Sequence, residues 1–289
     1  MTLEQLRIFI AVAEREHMTA AARALNVTQS AASAAIAALE QRHDIKLFDR
    51  VGRGIALTEA GRLFLDEARG VVARAAAAEA VLDDLGSFRR GALRIVASQT
   101  TAAYWLPPIL AAYHARYPLL SVDLAICNTE QAADRVRDGE ADLGIVEGRI
   151  DDPALASWPI GEDRLVLVSA APFREPVDAA WLQNAFWVSR EQGSGTRSTL
   201  DRHLRDRGVN AETLKVALTL PSNESVLTAV VAGAGVAALS SLVVARTIAA
   251  GALHAAPLDF GPRPFFCLRH KERYRSKAAD ALLELIDMH

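Results

Sequence analysis

Apolar positions along the first part of the chain recur at helical spacing before the pattern changes. Leu3, Leu6, Phe9, Ile10 and Ala13 mark one amphipathic helix, and Thr2 with Gln5 forms a capping box at its start. Thr19 is placed to cap a second helix, Ala20 to Leu25, whose alanines permit close packing. Asn26-Val27 is a tight break, and Thr28 is placed to cap a third helix that runs to about Arg42. Along this third helix Ala32, Ala35, Ile36 and Leu39 share one face, while Gln29, Ser30, Ser33 and Ala37 share the opposite one. Helix, short turn and helix with a small polar outer face is the pattern of a helix-turn-helix reader. Two short strands around the Gly52-Arg53-Gly54 tip then predict a hairpin wing, and Lys46, Arg50 and Arg53 make it locally basic.

Thr58 caps a long helix in which Phe64, Ala68, Val71, Ala75, Ala78, Leu82 and Leu85 alternate at spacings of four and three. That heptad seam predicts a self-pairing linker helix with Phe64, Val71, Leu82 and Leu85 at the dimer contact, although packing on its own domain stays open. Gly86 to Gly91 ends the helix. Beyond it, alternation at Leu93, Ile95 and Ala97, then a helix from about Ala102 to Arg116, opens a βαβαβ order. The order continues through Val122, Leu124 and Ile126, a helix near Gln131 to Arg137, and a strand at Asp142 to Val146, which predicts a parallel sheet. A strand at Arg164 to Ser169 leads into a second α/β unit covering about 170–262. Phe265 to Leu268 and the helix Lys277 to Met288 close the chain.

The expected fold is α/β with three parts: a winged helix-turn-helix over 1–58, a linker helix over 59–90 and a two-lobed α/β domain over 91–289. Lobe I takes about 91–162 plus 267–289, and lobe II about 163–266. Two lobes joined by crossing strands leave a cleft where ligands collect at strand carboxyl ends.

Composition narrows the function. Of 289 residues, 51% are hydrophobic and 23% charged, which makes a core-forming globular protein. The net charge of −3 gives no global support for binding a polyanion, so any nucleic-acid surface is local. Cys127 and Cys267 are too few for a disulfide framework or a zinc knuckle, and reduced thiols point to a cytoplasmic setting. Met1 to Ala13 carries Glu4 and Arg7, unlike a secretory signal. The uncharged stretch Ser225 to Ala245 is long enough to cross a bilayer, but Gly233 and Gly235 interrupt it. Helix, glycine turn and buried strand fits it better, so no membrane partner is expected.

Three stretches carry a family resemblance. One runs from Leu6-Arg7-Ile8-Phe9 through Thr28-Gln29-Ser30-Ala31-Ala32-Ser33 to Ile36-x-x-Leu39-Glu40. Another joins Leu47-Phe48-Asp49-Arg50 to Leu57-Thr58-Glu59-Ala60-Gly61. The last is Val231-x-Gly-x-Gly-Val-Ala. Their order and spacing resemble a LysR-type transcriptional regulator over the whole chain. The resemblance implies a winged helix-turn-helix, a linker helix and an effector domain similar to periplasmic binding proteins. It further implies a homodimer, assembled as a homotetramer, on an interrupted inverted repeat of double-stranded DNA, with RNA polymerase a further candidate partner. Ala34 stands where many members have Arg or another long side chain, and Asp44 replaces a usual turn glycine while tolerating the same left-handed backbone. Ala97-Ser98-Gln99-Thr100, Leu143 to Gly148, and Arg190 to Arg197 resemble the subgroup tied to sulfur oxyanions or carbon dioxide fixation.

Two sites follow. Thr28, Gln29, Ser30 and Ser33 are the candidate DNA contacts of the third helix. Arg53 on its glycine-flanked tip suits the minor groove or its phosphates, and Arg50 serves there or pairs with a carboxylate. In the effector domain, Ser98, Thr100 and Thr101 end the first strand, and Ser194, Gly195, Thr196 and Arg197 open a helix. Hydroxyls and free N–H groups at two helix starts favour a small anion, and no cofactor or metal is expected. Ordinary capping is the alternative for either loop. Glu147 follows a strand end facing the same cleft, so it either turns away or meets a ligand that brings a proton or a cationic group. The expected effector is a sulfur oxyanion such as sulfite or sulfate, with an organic carboxylate or amino acid as the alternative. HExxH, G-x-S-x-G and a full phosphate loop are all absent, which argues against an enzyme. A solute-binding protein without DNA function leaves the first ninety residues unexplained.

Overall fold

The computed structural model describes residues 1–52, 54–86 and 91–288. Its contacts divide it into two compact units, one built on the first 85 residues and one on the remainder.

In the first unit the helices are α1 (Leu3–Arg15), α2 (Met18–Ala24) and α3 (Gln29–His43). The wing is β1 (Phe48–Val51) and β2 (Gly54–Leu57), and α4 (Glu59–Gly86) follows. The Thr2–Gln5 capping box is present, and Thr28 caps α3 by accepting from the Ala31 N–H at 3.1 Å. Helix α2 starts before the expected Thr19 cap because the His17 imidazole takes that role, Nδ1 accepting from Ala20 N–H at 3.3 Å. Asp44 ends α3 with φ 51°, the left-handed turn for which a glycine is usual.

Phe9 sits fully buried at the centre, with the rings of Phe48 and Phe64 at 5.5 and 4.9 Å. Ala32, Ile36 and Leu39 of α3 and Ala68 of α4 pack into the same core. The early part of the heptad packs on its own unit: Ala68 is buried in this core and Phe64 lies half-buried against it. Val71 and Leu82 remain exposed. The side chain of Leu85, like Arg53, lies outside the described residues.

Glu40 fastens the wing to α3. Its carboxylate accepts from the N–H groups of Leu47 (2.9 Å) and Phe48 (3.3 Å) and from Lys46 Nζ (2.8 Å). Burial acts to raise its pKa, but these hydrogen bonds outweigh burial and the net shift is downward.

The second unit opens with β3 (Gly91–Ser98), a π-helical turn at Thr101–Trp105, and α5 (Leu106–Arg116). An α-helix was expected from Ala102. Pro107 and Pro108 have no N–H to bond the carbonyls four residues back, so the preceding turn widens and Leu106 N–H bonds Thr101 O instead. Then come β4 (Leu120–Cys127), α6 (Thr129–Asp138), β5 (Leu143–Glu147) and the long β6 (Leu155–Ser169). They are followed by α7 (Ala179–Asn184), β7 (Phe186–Arg190), α8 (Gly195–Asp206), β8 (Lys215–Leu220) and α9 (Asn223–Val231). The chain ends with β9 (Val236–Ser240), α10 (Ser241–Ala249), β10 (His254–Ala255), β11 (Pro262–His270) and α11 (Lys277–Ile286).

The strands form one continuous order, β4-β3-β5-β11-β6-β9-β7-β8, with β10 beside β6. Strands β4, β3 and β5 are parallel, as are β9, β7 and β8, while β6 and β11 run antiparallel to their neighbours. Strand β6 pairs with β11 from Leu155 to Arg164, then with β9 from Leu165 to Ser169. It thus belongs to both lobes, where the sequence showed only its last six residues as a strand. Each lobe has apolar cores on both sheet faces, one centred on Tyr113 and Leu282, another on Trp187 and Leu204. Among the described residues no helix is long and apolar enough to cross a membrane; Ser225 to Ala245 divides into α9, a glycine turn, β9 and the start of α10.

Glu40→Ala should destabilise the first unit by about 1–3 kcal/mol, since it leaves two backbone donors unpaired. Because the folded-state pKa is depressed, the carboxylate's stabilisation is complete above its ordinary value of 4.5 and is lost as pH falls through the lower folded value. Melting curves of wild type and variant should therefore converge in acid.

Candidate functional site

In the first unit, Gln29, Ser30 and Ser33 are exposed along the start of α3, opposite the buried Ala32, Ile36 and Leu39. Thr28 lies at the same end, its hydroxyl oxygen engaged with Ala31 N–H and 3.0 Å from Ser30 Oγ. Arg50 is exposed on β1. The arrangement presents short polar groups on a helix beside a hairpin, the shape that enters a major groove with a wing against the backbone.

In the second unit, the two loops singled out in the sequence converge on the end of β5. Thr101 donates to Ile145 O at 2.8 Å, and Gly195 packs so tightly that a Cβ there would lie 2.2 Å from Glu147 O and 2.5 Å from Thr129 Oγ1. Thr129 Oγ1 in turn donates to Glu147 O at 3.0 Å. Only glycine at the first position of α8 allows lobe II to close on lobe I at this point.

The hydroxyls at this convergence are not equivalent. Thr101 directs its proton to the carbonyls of Ile145 and Ser98, and Ser98 Oγ lies 2.9 Å from Thr101 Oγ1, so both protons are committed within the protein. Thr100 Oγ1 accepts from Asn223 Nδ2 at 3.1 Å, and Thr196 Oγ1 accepts from Arg263 Nη1 at 3.0 Å. Both residues are buried, and among the described residues neither proton meets an acceptor. Ser194 precedes α8 without capping it, and among the described residues the first N–H groups of that helix have no partner. Thr199 Oγ1, 1% exposed one turn further on, has no hydrogen-bond partner among the described residues.

Charge lies behind this end of the cleft. Arg263, 1% exposed, pairs with Asp163 through Nε (2.6 Å) and Nη2 and passes its remaining arm to Thr196. Ser240 donates to the same carboxylate. Arg197 is partly exposed, donating to Arg190 O at 3.3 Å and facing Asp201. Burial raises the Asp201 pKa against the pull of Arg197 and Arg205. A cavity of about 350 Å³ beside this helix start is lined by Thr129, Gly148, Arg149, Ser194 and Arg197 among others. Glu147 is 2% exposed at the end of β5. Among the described residues no group of His, Cys, Asp and Glu is arranged to hold a metal ion.

Sequence reading missed Asn223, Arg263, Asp163 and Thr199. Arg263 had one visible signal, a charged residue between two prolines at the edge of an apolar strand. Asn223 follows the Ser222 cap of α9, a local setting with no mark of its partners in the other lobe.

A winged helix-turn-helix joined to a two-lobed ligand-binding domain defines a ligand-responsive transcriptional regulator. Residues 3–62 match the bacterial regulatory helix-turn-helix protein, lysR family, and residues 86–289 match the LysR substrate binding domain. The chain belongs to the LysR family of DNA-binding transcriptional regulators. It is 33% identical to a probable RuBisCO transcriptional regulator of Trichormus variabilis, over 99% of this chain and 87% of that one. It is 34% identical to the HTH-type transcriptional regulator CysL of Bacillus subtilis, over 86% and 83%. The full-length CbnR structure complexed with its target DNA shares the fold, with a TM-score of 0.67, 22% identity, and coverage of 100% and 99%.

Gly195→Ala should force α8 away from β5 and lower the stability of the second unit by about 1–3 kcal/mol, the range for overpacking a close contact. Differential scanning calorimetry checks this. A melting transition unchanged from wild type would show that the contact yields freely.

Proposed function

We propose that this regulator senses a small oxyanion, with a sulfur oxyanion such as sulfite or sulfate as the effector. The observation that carries the reading is the uncapped start of α8 closing on the end of β5, with Thr100 and Thr196 as proton donors nearby. Unpaired N–H groups, the helix dipole and oriented hydroxyls together suit an anion with several acceptor oxygens. The resemblance of the effector domain to the subgroup tied to sulfur oxyanions or carbon dioxide fixation favours sulfur among such anions. Glu147, buried at the same strand end, fits a ligand that brings a proton, as bisulfite does. On the DNA side, Gln29, Ser30 and Ser33 read bases while Arg50 and Arg53 hold phosphates. Exposed Val71 and Leu82 pair two α4 helices, and two such dimers bind an interrupted inverted repeat.

Titration calorimetry with sulfite, sulfate and phosphate, beside small carboxylates and amino acids, tests the effector. Sulfite binding should weaken as pH rises, and Glu147→Gln should flatten that dependence. Tight binding of a bulky organic acid with no oxyanion binding overturns the reading.

Arg53→Ala should weaken binding to specific and random DNA alike and flatten the log–log salt slope by about 1, as for one lost phosphate contact. Ser33→Ala should instead narrow the gap between specific and random DNA. Gel shifts across a salt series separate the two. Leu82→Asp should yield smaller species in sedimentation with the effector domain still folded, since it buries an unpaired charge in the proposed seam.

A further inference from the structure

Asn223 sits at the start of α9 in lobe II, 1% exposed, and bonds across the cleft to two consecutive residues of lobe I. Its N–H donates to Gln99 Oε1 at 2.8 Å, and its Nδ2 donates to Thr100 Oγ1 at 3.1 Å. Gln99 Nε2 returns a bond to Pro221 O at 2.9 Å. The Asn223 Oδ1 accepts from Arg190 Nη1, and Arg190, 5% exposed, holds its other arms on the Glu191 carboxylate at 2.7 and 2.9 Å.

Arginine has donors and no acceptor, so the amide oxygen of Asn223 must face Arg190. Its NH₂ group must then face Thr100, and the Thr100 oxygen must accept. The Thr100 proton is left to donate, and no acceptor among the described residues takes it. The chain of bonds thus runs from a buried guanidinium through an amide to a hydroxyl, each link polarising the next. Ser98, two residues before, and Thr101, the next residue, are excluded from this role because their protons bond within lobe I.

We propose that Asn223 is a positioning residue that couples closure of the two lobes to anion recognition. It relays the charge of Arg190 across the cleft and holds Thr100 as an obligate hydrogen-bond donor to the oxyanion. This rests on the oxyanion reading above and adds to it a requirement on the ligand: the atom that meets Thr100 is an acceptor.

The test uses Asn223→Asp in the full-length protein. The carboxylate is the same size and still accepts from Arg190, but it has no proton for Thr100 and accepts the Thr100 proton itself. Affinity for sulfite and sulfate, measured by calorimetry, should fall about tenfold or more, the loss of one charge-assisted hydrogen bond. The melting temperature of the unliganded protein should stay close to wild type. Thr100→Val should lose affinity by a similar factor and Thr100→Ser should retain it. Adding Asn223→Asp to Thr100→Val should then cost little more, because the two act through one bond. Simple charge repulsion by the new carboxylate would instead make the losses additive, and that result overturns the assignment, as does wild-type affinity in Asn223→Asp. A wild-type protein that binds neither anion overturns the oxyanion reading. The relay is then judged without ligand by the melting temperatures of Asn223→Ala, Thr100→Val and their double variant. Coupled losses sustain the cross-cleft bond, and additive losses overturn it.

Discussion

The effector domain depends on one strand that serves two sheets. Over its 15 residues β6 pairs first with β11 and then with β9, so the two lobes share a continuous hydrogen-bonded backbone. The exchange of partners falls between Arg164 and Leu165, and the residue beside it, Asp163, is register partner to Arg263. The ion pair between them, buried to 1% on each side chain, therefore sits where the strand changes lobe. Taking both charges out of water costs several kcal/mol per ion, and their attraction offsets this only if all their hydrogen-bonding groups are used. Here they are well used: two arms of Arg263 on Asp163, a third on Thr196, and Ser240 on the carboxylate. A pair with such geometry fixes orientation more than it adds stability, and what it orients is the first turn of α8.

From this crossing the remaining features follow in order. Strand β5 lies beside β11, and its end, at Glu147, receives Gly195 from the opposite lobe. The closeness of that contact explains why α8 starts with a glycine. Uncapped N–H groups at the same place are a local deficit in stability, tolerable only because the helix is held by its other face through Leu200 and Leu204. An anion at a helix start is held by such free donors, and a cap by Ser194 would occupy one of them.

The winged domain is governed by a comparable economy of groups. One carboxylate, Glu40, accepts from three donors and thereby places the wing at a fixed distance from α3. The Phe9, Phe48 and Phe64 cluster joins α1, the wing and α4, which makes the start of the linker helix inseparable from the reader domain. The heptad pattern alone did not reveal this, because a seam residue and a core residue are both apolar at the same spacing. Burial distinguishes Phe64 and Ala68 from Val71 and Leu82.

The amino-acid sequence by itself determined what depends on near neighbours. The capping of α1 and α3, the glycine-flanked wing, the left-handed turn at Asp44, the alternating strands and the exposed Gln29, Ser30 and Ser33 all rest on contacts within a few residues. It also placed both loops that meet at the end of β5, because hydroxyls and glycine before a helix are a local signal. Tertiary structure decided which hydroxyls accept from a side chain and which donate to the backbone. Thr100 meets Asn223 across 123 positions of chain, Thr196 meets Arg263 across 67, and Arg263 meets Asp163 across 100. A hydroxyl is donor or acceptor according to its partner, and at those separations no spacing in the sequence says who the partner is. The same residue types in Ser98 and Thr101, two positions before and one after, turn inward, Thr101 to backbone carbonyls and Ser98 to the Thr101 hydroxyl, and hold the strand end.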